Sequence, residues 1–164
     1  GKQAEQVRTA GDQVRDAVRS LRSLLVEIYP PNLYEEGLEP ALSDLMAHLD
    51  QRGIETSLTI DSAVGDLTME RAQLVYRATQ EGLRNVVSHA QATKVNVSVE
   101  AVGDSVVLRV VDNGCGVDPS NLPQREGHLG LRSLAGVAAT LRSTLSIESA
   151  PGRGTELRLE VPRT

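Results

Sequence analysis

Apolar residues at the start of the chain return every seven positions. Val7, Val14, Leu21 and Ile28 form one column, and Ala4, Gly11, Val18 and Leu25 form another four residues on. This repeat predicts an amphipathic helix with a coiled-coil or bundle seam. Its other faces are polar (Arg8, Asp12, Arg15, Asp16, Arg19 and Arg22), and Pro30-Pro31 ends it. A lone helix of this kind exposes its whole stripe unless it packs on another helix, a second copy or the following domain. Residues 1–31 therefore read as the last part of a helical bundle, and residues 32–164 as a separate domain.

The pattern then changes several times. Leu38, Ala41, Leu42, Leu45, Met46 and Leu49 recur at three and four, predicting a helix that Gly53 closes. Ile54, Thr56, Leu58 and Ile60 alternate with polar residues as a half-buried edge strand does. After a loop at Gly65, Thr68 is placed to cap a helix running to about Ala90, whose apolar side carries Ala72, Val75, Tyr76, Thr79, Leu83, Val86, Val87 and Ala90. Val95, Val97, Val99 and then Val106, Leu108, Val110 predict two strands turned at Gly103-Asp104. Residues 112–129 read as loop and 130–142 as helix, and strands at 144–149 and 155–161 flank a Pro-Gly turn. The predicted class is α+β, with helices layered on one face of a mixed or antiparallel sheet.

Composition narrows the function classes. At 164 residues the chain is one domain with a helical appendage, and 40% hydrophobic with 24% charged residues is globular. A net charge of -5 with scattered basic residues lacks the footprint of a nucleic-acid binder. The single cysteine, Cys115, makes no internal disulfide, and no apolar run approaches the roughly 20 residues that span a bilayer. The segment reads as cytoplasmic, with attachment to an upstream membrane sensor left open. No P-loop, dinucleotide fingerprint, zinc cysteine pair or nucleophile elbow is present.

Four short constellations carry candidate chemistry. Arg77, Glu81, Arg84, Asn85 and Ser88, with His89 beside them, share one helix face. A carboxylate and an amide oxygen one turn apart suit a hard cation, although a solvated helix face has the same spacing. Asp112-Asn113-Gly114-Cys115-Gly116 follows a strand end, where an aspartate can accept from an amine such as adenine N6, although Asn-Gly is also a common hairpin pair. Gly127-His128-Leu129-Gly130-Leu131 opens a helix whose unpaired amides suit phosphate, but Gly-x-x-Gly is common. Gly152-Arg153-Gly154-Thr155 is a turn whose threonine hydroxyl can reach a ligand, or simply a turn.

Taken in order, these four resemble the ATP-binding domain of the GHKL superfamily, over residues 33–161. Leu21 to Pro31, Glu81-Gly82-Leu83-Arg84-Asn85 and Gly130-Leu131-Arg132 look like bacterial two-component sensor histidine kinases of the NarX/DesK type. The resemblance implies a two-layer α/β sandwich of the Bergerat type that binds ATP, ADP and Mg2+. It implies that Glu81 and Asn85 are catalytic, with Asn85 and Glu81 at the metal. Asn85, His89, Asp112, Gly114, Gly116, Gly127, His128, Leu129, Gly130, Leu131, Arg132, Gly154 and Thr155 would line the nucleotide, Asp112 reading the adenine amine and Thr155 supporting it through water. Ser88 stands where many members carry Lys or Arg, so Arg84, Lys94 or Arg132 would have to meet that phosphate.

Family members phosphorylate a histidine on the first dimerisation helix, and no histidine lies within residues 1–47. The resemblance therefore implies an acceptor on upstream dimerisation helices, relay to a response regulator receiver domain, a homodimer for the whole protein and a segment able to stand as a monomer. Residues 117–129 would form a lid over the phosphates. An anti-sigma-factor-type serine kinase or a degenerate nucleotide-sensing module is the alternative; the heptad helix separates the first of these, which has no need of it.

Overall fold

The computed structural model describes residues 9–18, 31–118 and 128–164. The two ends of the heptad helix, most of the expected lid and Gly127 lie outside them. Residues 9–18 are helical, and the seam residues Val14 and Val18 are 62% and 45% exposed.

A helix begins at Pro31 itself, within the Pro-Pro-Asn stretch that was expected to be a break. Helix α1 spans Pro31–Glu36. Proline is tolerated at a first helical position because its φ is already helical and the missing N–H would have had no partner there. α1 buries Leu33, and its Asn32 amide bonds the Asp44 carboxylate of helix α2, Leu38–Asp50. α2 turns Ala41, Leu42, Met46 and Leu49 into the core.

Strand β1 (Glu55–Ile60) leads through a single turn at Ser62–Val64, capped by the Asp61 carboxylate, into helix α3, Met69–Asn85. Thr68 occupies the N-cap position of α3 but makes no side-chain cap bond. Beyond Asn85 the helix widens into a π-type turn, Val86–Ala90, and ends at Gln91 in the left-handed region. Strands β2 (Lys94–Val102) and β3 (Ser105–Asp112) form the expected hairpin, turning at Gly103 with φ +58. Helix α4 (His128–Thr140) and the hairpin of β4 (Thr144–Ser149) and β5 (Thr155–Pro162) complete the domain.

The sheet runs β1-β2-β3-β5-β4, with β1 parallel to β2 and the other pairs antiparallel. Helices α2, α3 and α4 are joined to one another and to the strands by packing, and the two-layer α/β sandwich is the architecture expected. Register aligns the core in rows across β2, β3, β5 and β4. One row is Val99, Leu108, Leu159 and Leu145, and the next is Val97, Val110, Leu157 and Ile147. In both rows the first three residues are at most 3% exposed. The opposite face is polar: Arg109 pairs with Glu100 at 3.2 Å and with Glu156 at 3.3 Å, and Arg158 with Glu160 at 2.9 Å. Alternation along each strand thus separates an apolar face from a salt-bridged one.

Candidate functional site

The next row along the sheet is Val95, Asp112, Thr155 and Ser149. Side chains two apart on a strand share a face, so Asp112 follows Val110, Thr155 precedes Leu157 and Ser149 follows Ile147 on the helix-facing side. The apolar face therefore ends in a polar row.

Asp112 is 8% exposed, yet its carboxylate is supplied with donors. The Gly114 N–H donates to it at 2.8 Å, and the Thr155 backbone N–H bonds it too. Burial nevertheless holds its pKa above the usual carboxylate value, the two amides opposing that shift. Ionised, the carboxylate is acceptor-only and the stronger partner for an amine; protonated, one of its oxygens becomes a donor.

Asn113-Gly114 is not a hairpin turn. The Asn113 side-chain oxygen accepts from the N–H groups of Thr93 and Lys94 at 3.0 and 2.9 Å, and its amide donates to the Thr93 hydroxyl at 3.0 Å. It stitches the start of β2 to the end of β3. Asn113→Ala is expected to lower stability by about 1 kcal/mol, because the exposed amides regain water, and a urea midpoint unmoved by the change would contradict that role.

Past Gly114 the chain lies directly against the β4–β5 turn. The Gly152 N–H donates to the Cys115 carbonyl at 2.6 Å. Gly116 has φ +64, and a Cβ there would stand 2.0 Å from the Ala150 carbonyl oxygen. Gly154 has φ +73, with its Cβ position 2.1 Å from the Asp112 carbonyl oxygen. These two glycines are required by close backbone approach as well as by conformation. Ser149, which sequence reasoning missed, joins both segments: its hydroxyl accepts from Val117 N–H at 2.9 Å, donates to the Gly154 carbonyl at 3.0 Å and meets the Thr155 hydroxyl at 2.8 Å. The signal that could have found it is the alternation of β4, which puts Ser149 on the face of Leu145 and Ile147.

Helix α3 crosses above this end of β3. A Cβ on Gly82 would lie 3.1 to 3.3 Å from the Val110 side chain, so the helix is seated close to the sheet two residues before Asp112. Glu81 is not on a solvated face. It is 6% exposed, its Oε2 pairs with Arg84 at 3.1 Å, and a Cβ on Gly130 would come within 2.7 Å of its carboxyl. The start of α4 thus rests on Glu81. Asn85, four residues on, is half-buried.

The remaining expected residues divide. Gly127 and the side chains of His89, His128 and Leu129 lie outside what is described. Leu131 is 9% exposed, and its side chain belongs to the core. Arg132 and Ser88 are exposed. Of the three cations named for a phosphate, all exposed, Lys94 pairs with Glu55 at 3.0 Å and Arg84 with Glu81 at 3.1 Å. Among the described residues no three His, Cys, Asp or Glu side chains are grouped to hold a metal. A carboxylate and an amide oxygen on one helix face fit a hard cation that completes its shell from phosphate and water. Asn85 and, one turn before it, the Glu81 carboxylate paired with Arg84 are the residues that could hold such a cation. No described helix is long and apolar enough to cross a membrane.

Comparison with known proteins gives a consistent answer. Residues 70–164 match the family described as histidine kinase-, DNA gyrase B- and HSP90-like ATPase. The chain is 29% identical to the sensor histidine kinase ComP of Bacillus subtilis over 92% of its own length and 20% of that protein's. It is 30% identical to the oxygen sensor histidine kinase NreB of Staphylococcus carnosus over 90% of its length and 42% of that protein's. It thus spans less than half of these curated relatives. The histidine kinase domain of the Erythrobacter litoralis blue-light activated histidine kinase superposes with a TM-score of 0.64 at 21% identity, covering 77% of this chain and 59% of that one.

Proposed function

Because the chain belongs to the family of histidine kinase-, DNA gyrase B- and HSP90-like ATPases, we propose that it is the Mg-ATP-binding catalytic domain of a two-component sensor histidine kinase. The observation that carries this reading is the buried Asp112 carboxylate, held by the Gly114 and Thr155 amides in the polar row that ends the core. A buried acceptor at the edge of an apolar core suits a purine carrying an exocyclic amine. The two sensor histidine kinases named among the relatives favour the kinase reading within the family.

In this reading the adenine lies over the row of Asp112 and Thr155, and the phosphates extend toward the start of α4, whose first-turn amides and dipole favour negative charge. Asn85, with Glu81 one turn away, would hold Mg2+, which when bound would neutralise phosphate charge. Glu81, paired with Arg84 under Gly130, fixes the start of α4 against α3, and Arg132 meets phosphate. Catalysis is then positioning and electrostatic stabilisation of the transferred group. The accepting histidine lies on dimerisation helices outside this chain, and a response regulator aspartate receives the phosphoryl group from it. The exposed Val14 and Val18 favour a bundle partner for residues 9–18 and so favour this reading over an anti-sigma-type serine kinase.

Calorimetric titration tests the reading. Saturable binding of Mg-ATP, with no binding of Mg-GTP at the same concentrations, is expected. Absence of binding for both nucleotides would overturn it.

A further inference from the structure

We propose that Ser149 orients the Thr155 hydroxyl so that the pocket presents two adjacent acceptors and selects a 6-amino purine over a 6-oxo purine. The inference rests on the adenine reading and adds a positioning residue to it. The argument is a count of protons. A serine hydroxyl has one proton to give and two lone pairs. Around Ser149 Oγ stand the Val117 N–H at 2.9 Å, which can only donate, and the Gly154 carbonyl at 3.0 Å, which can only accept. The third neighbour, Thr155 Oγ1 at 2.8 Å, can do either.

Only one assignment satisfies all three. The Ser149 proton goes to the Gly154 carbonyl, since sending it to Thr155 would leave two acceptor oxygens facing each other at 3.0 Å. One Ser149 lone pair takes Val117 N–H, and the other takes the Thr155 proton. Thr155 has then spent its donor on Ser149, and what its hydroxyl offers a ligand is lone pairs. Beside it in the same row, the ionised Asp112 carboxylate offers lone pairs too. An exocyclic amino group supplies two N–H donors to such a rim, whereas a keto oxygen supplies none and leaves both acceptors unpaired. Unpaired buried polar groups are what give a site strong discrimination.

The same contacts tie Val117, where the chain leaves the site, to the β4–β5 turn. Ser149 is therefore the point at which both flanks of the pocket are set. Without its hydroxyl, Thr155 is free to rotate and donate to a keto group.

The test compares ATP with inosine triphosphate, which carries a keto oxygen in place of the amine at position 6 and a proton on N1. Both are titrated with Mg2+ at about pH 8 into the wild-type protein, Ser149→Ala and Ser149→Thr. The wild type is expected to prefer ATP, Ser149→Ala to narrow the ratio of affinities by about five- to tenfold, and Ser149→Thr to restore it. A folded Ser149→Ala protein with the wild-type ratio overturns the assignment while leaving the adenine reading in place. A wild type that binds neither nucleotide overturns the adenine reading and this assignment with it. Should Ser149→Ala not fold, Thr155→Val removes the same acceptor at nearly constant volume; its ratio must narrow comparably, and an unchanged ratio overturns the proposal.

Discussion

Gly116→Ala is expected to abolish saturable ATP binding and to lower stability sharply. Its φ of +64 is a conformation L-residues rarely adopt, and that alone costs about 1–3 kcal/mol. The added Cβ would stand 2.0 Å from the Ala150 oxygen, 2.9 Å from its carbonyl carbon and 3.0 Å from the Gly154 oxygen. All three are backbone atoms, so no side chain can swing aside; the 114–117 segment must leave the β4–β5 turn, and Asp112 loses the frame that aims it. Gly53→Ala is the control. Its φ is +78 but nothing lies within 4 Å of its Cβ position, so it carries only the conformational cost. Urea unfolding and calorimetry on the two variants separate the effects, and ATP affinity in Gly116→Ala within twofold of wild type would remove this contact from the site.

Asp112→Asn is the second large effect. Losing a hydrogen bond to a charged acceptor costs about 1.5 to 3 kcal/mol, so ATP affinity should fall about tenfold to a hundredfold. The variant should nevertheless fold at least as well as wild type near neutral pH. The sign follows from the raised carboxyl pKa. Between the ordinary aspartate value and the raised one, the folded state holds the proton more tightly than the unfolded chain, so stability falls as pH rises through that window. Asparagine removes this penalty and still accepts from the Gly114 amide. For binding the sign reverses, since the ionised form is the stronger acceptor for the amine. Wild-type affinity should therefore start to fall on acidification at a pH above that of an ordinary aspartate, while the Asp112→Asn profile lacks that component. Equal ATP affinities in the two proteins would take Asp112 out of the adenine pocket.

The strands were legible because period-two alternation of Val, Leu and Ile is strong in β2, β3, β4 and β5. The helices α2, α3 and α4 were legible from their three-and-four spacing. α1 was not, because a Pro-Pro pair reads as a stop, and only the next residues show that it also begins a helix. The burial of Glu81 was hidden for a different reason. Its neighbours at helical spacing, Arg77, Arg84 and Ser88, mark a polar face, and the group that covers it, Gly130, lies some fifty residues away. Ser149 was invisible in the same way: a serine before a Pro-Gly turn is ordinary until register sets it opposite Thr155. Asp112 was found through its motif, but the row it shares with Thr155 and Ser149 depends on β3 pairing with β5.

That pairing also decides when the site comes into existence. The hairpins β2–β3 and β4–β5 close over short turns, whereas Asp112 meets Thr155 only after the whole stretch from 113 to 154 has been looped back. Loop closure of that length is entropically costlier than either hairpin, and contacts between distant segments form slowly. A chain with both hairpins made but not yet joined would carry every residue of the site and no pocket. Nucleotide is then a ligand of the finished sheet alone, and its appearance during refolding would mark the joining of β3 to β5, the step that turns two independent ribbons into one domain.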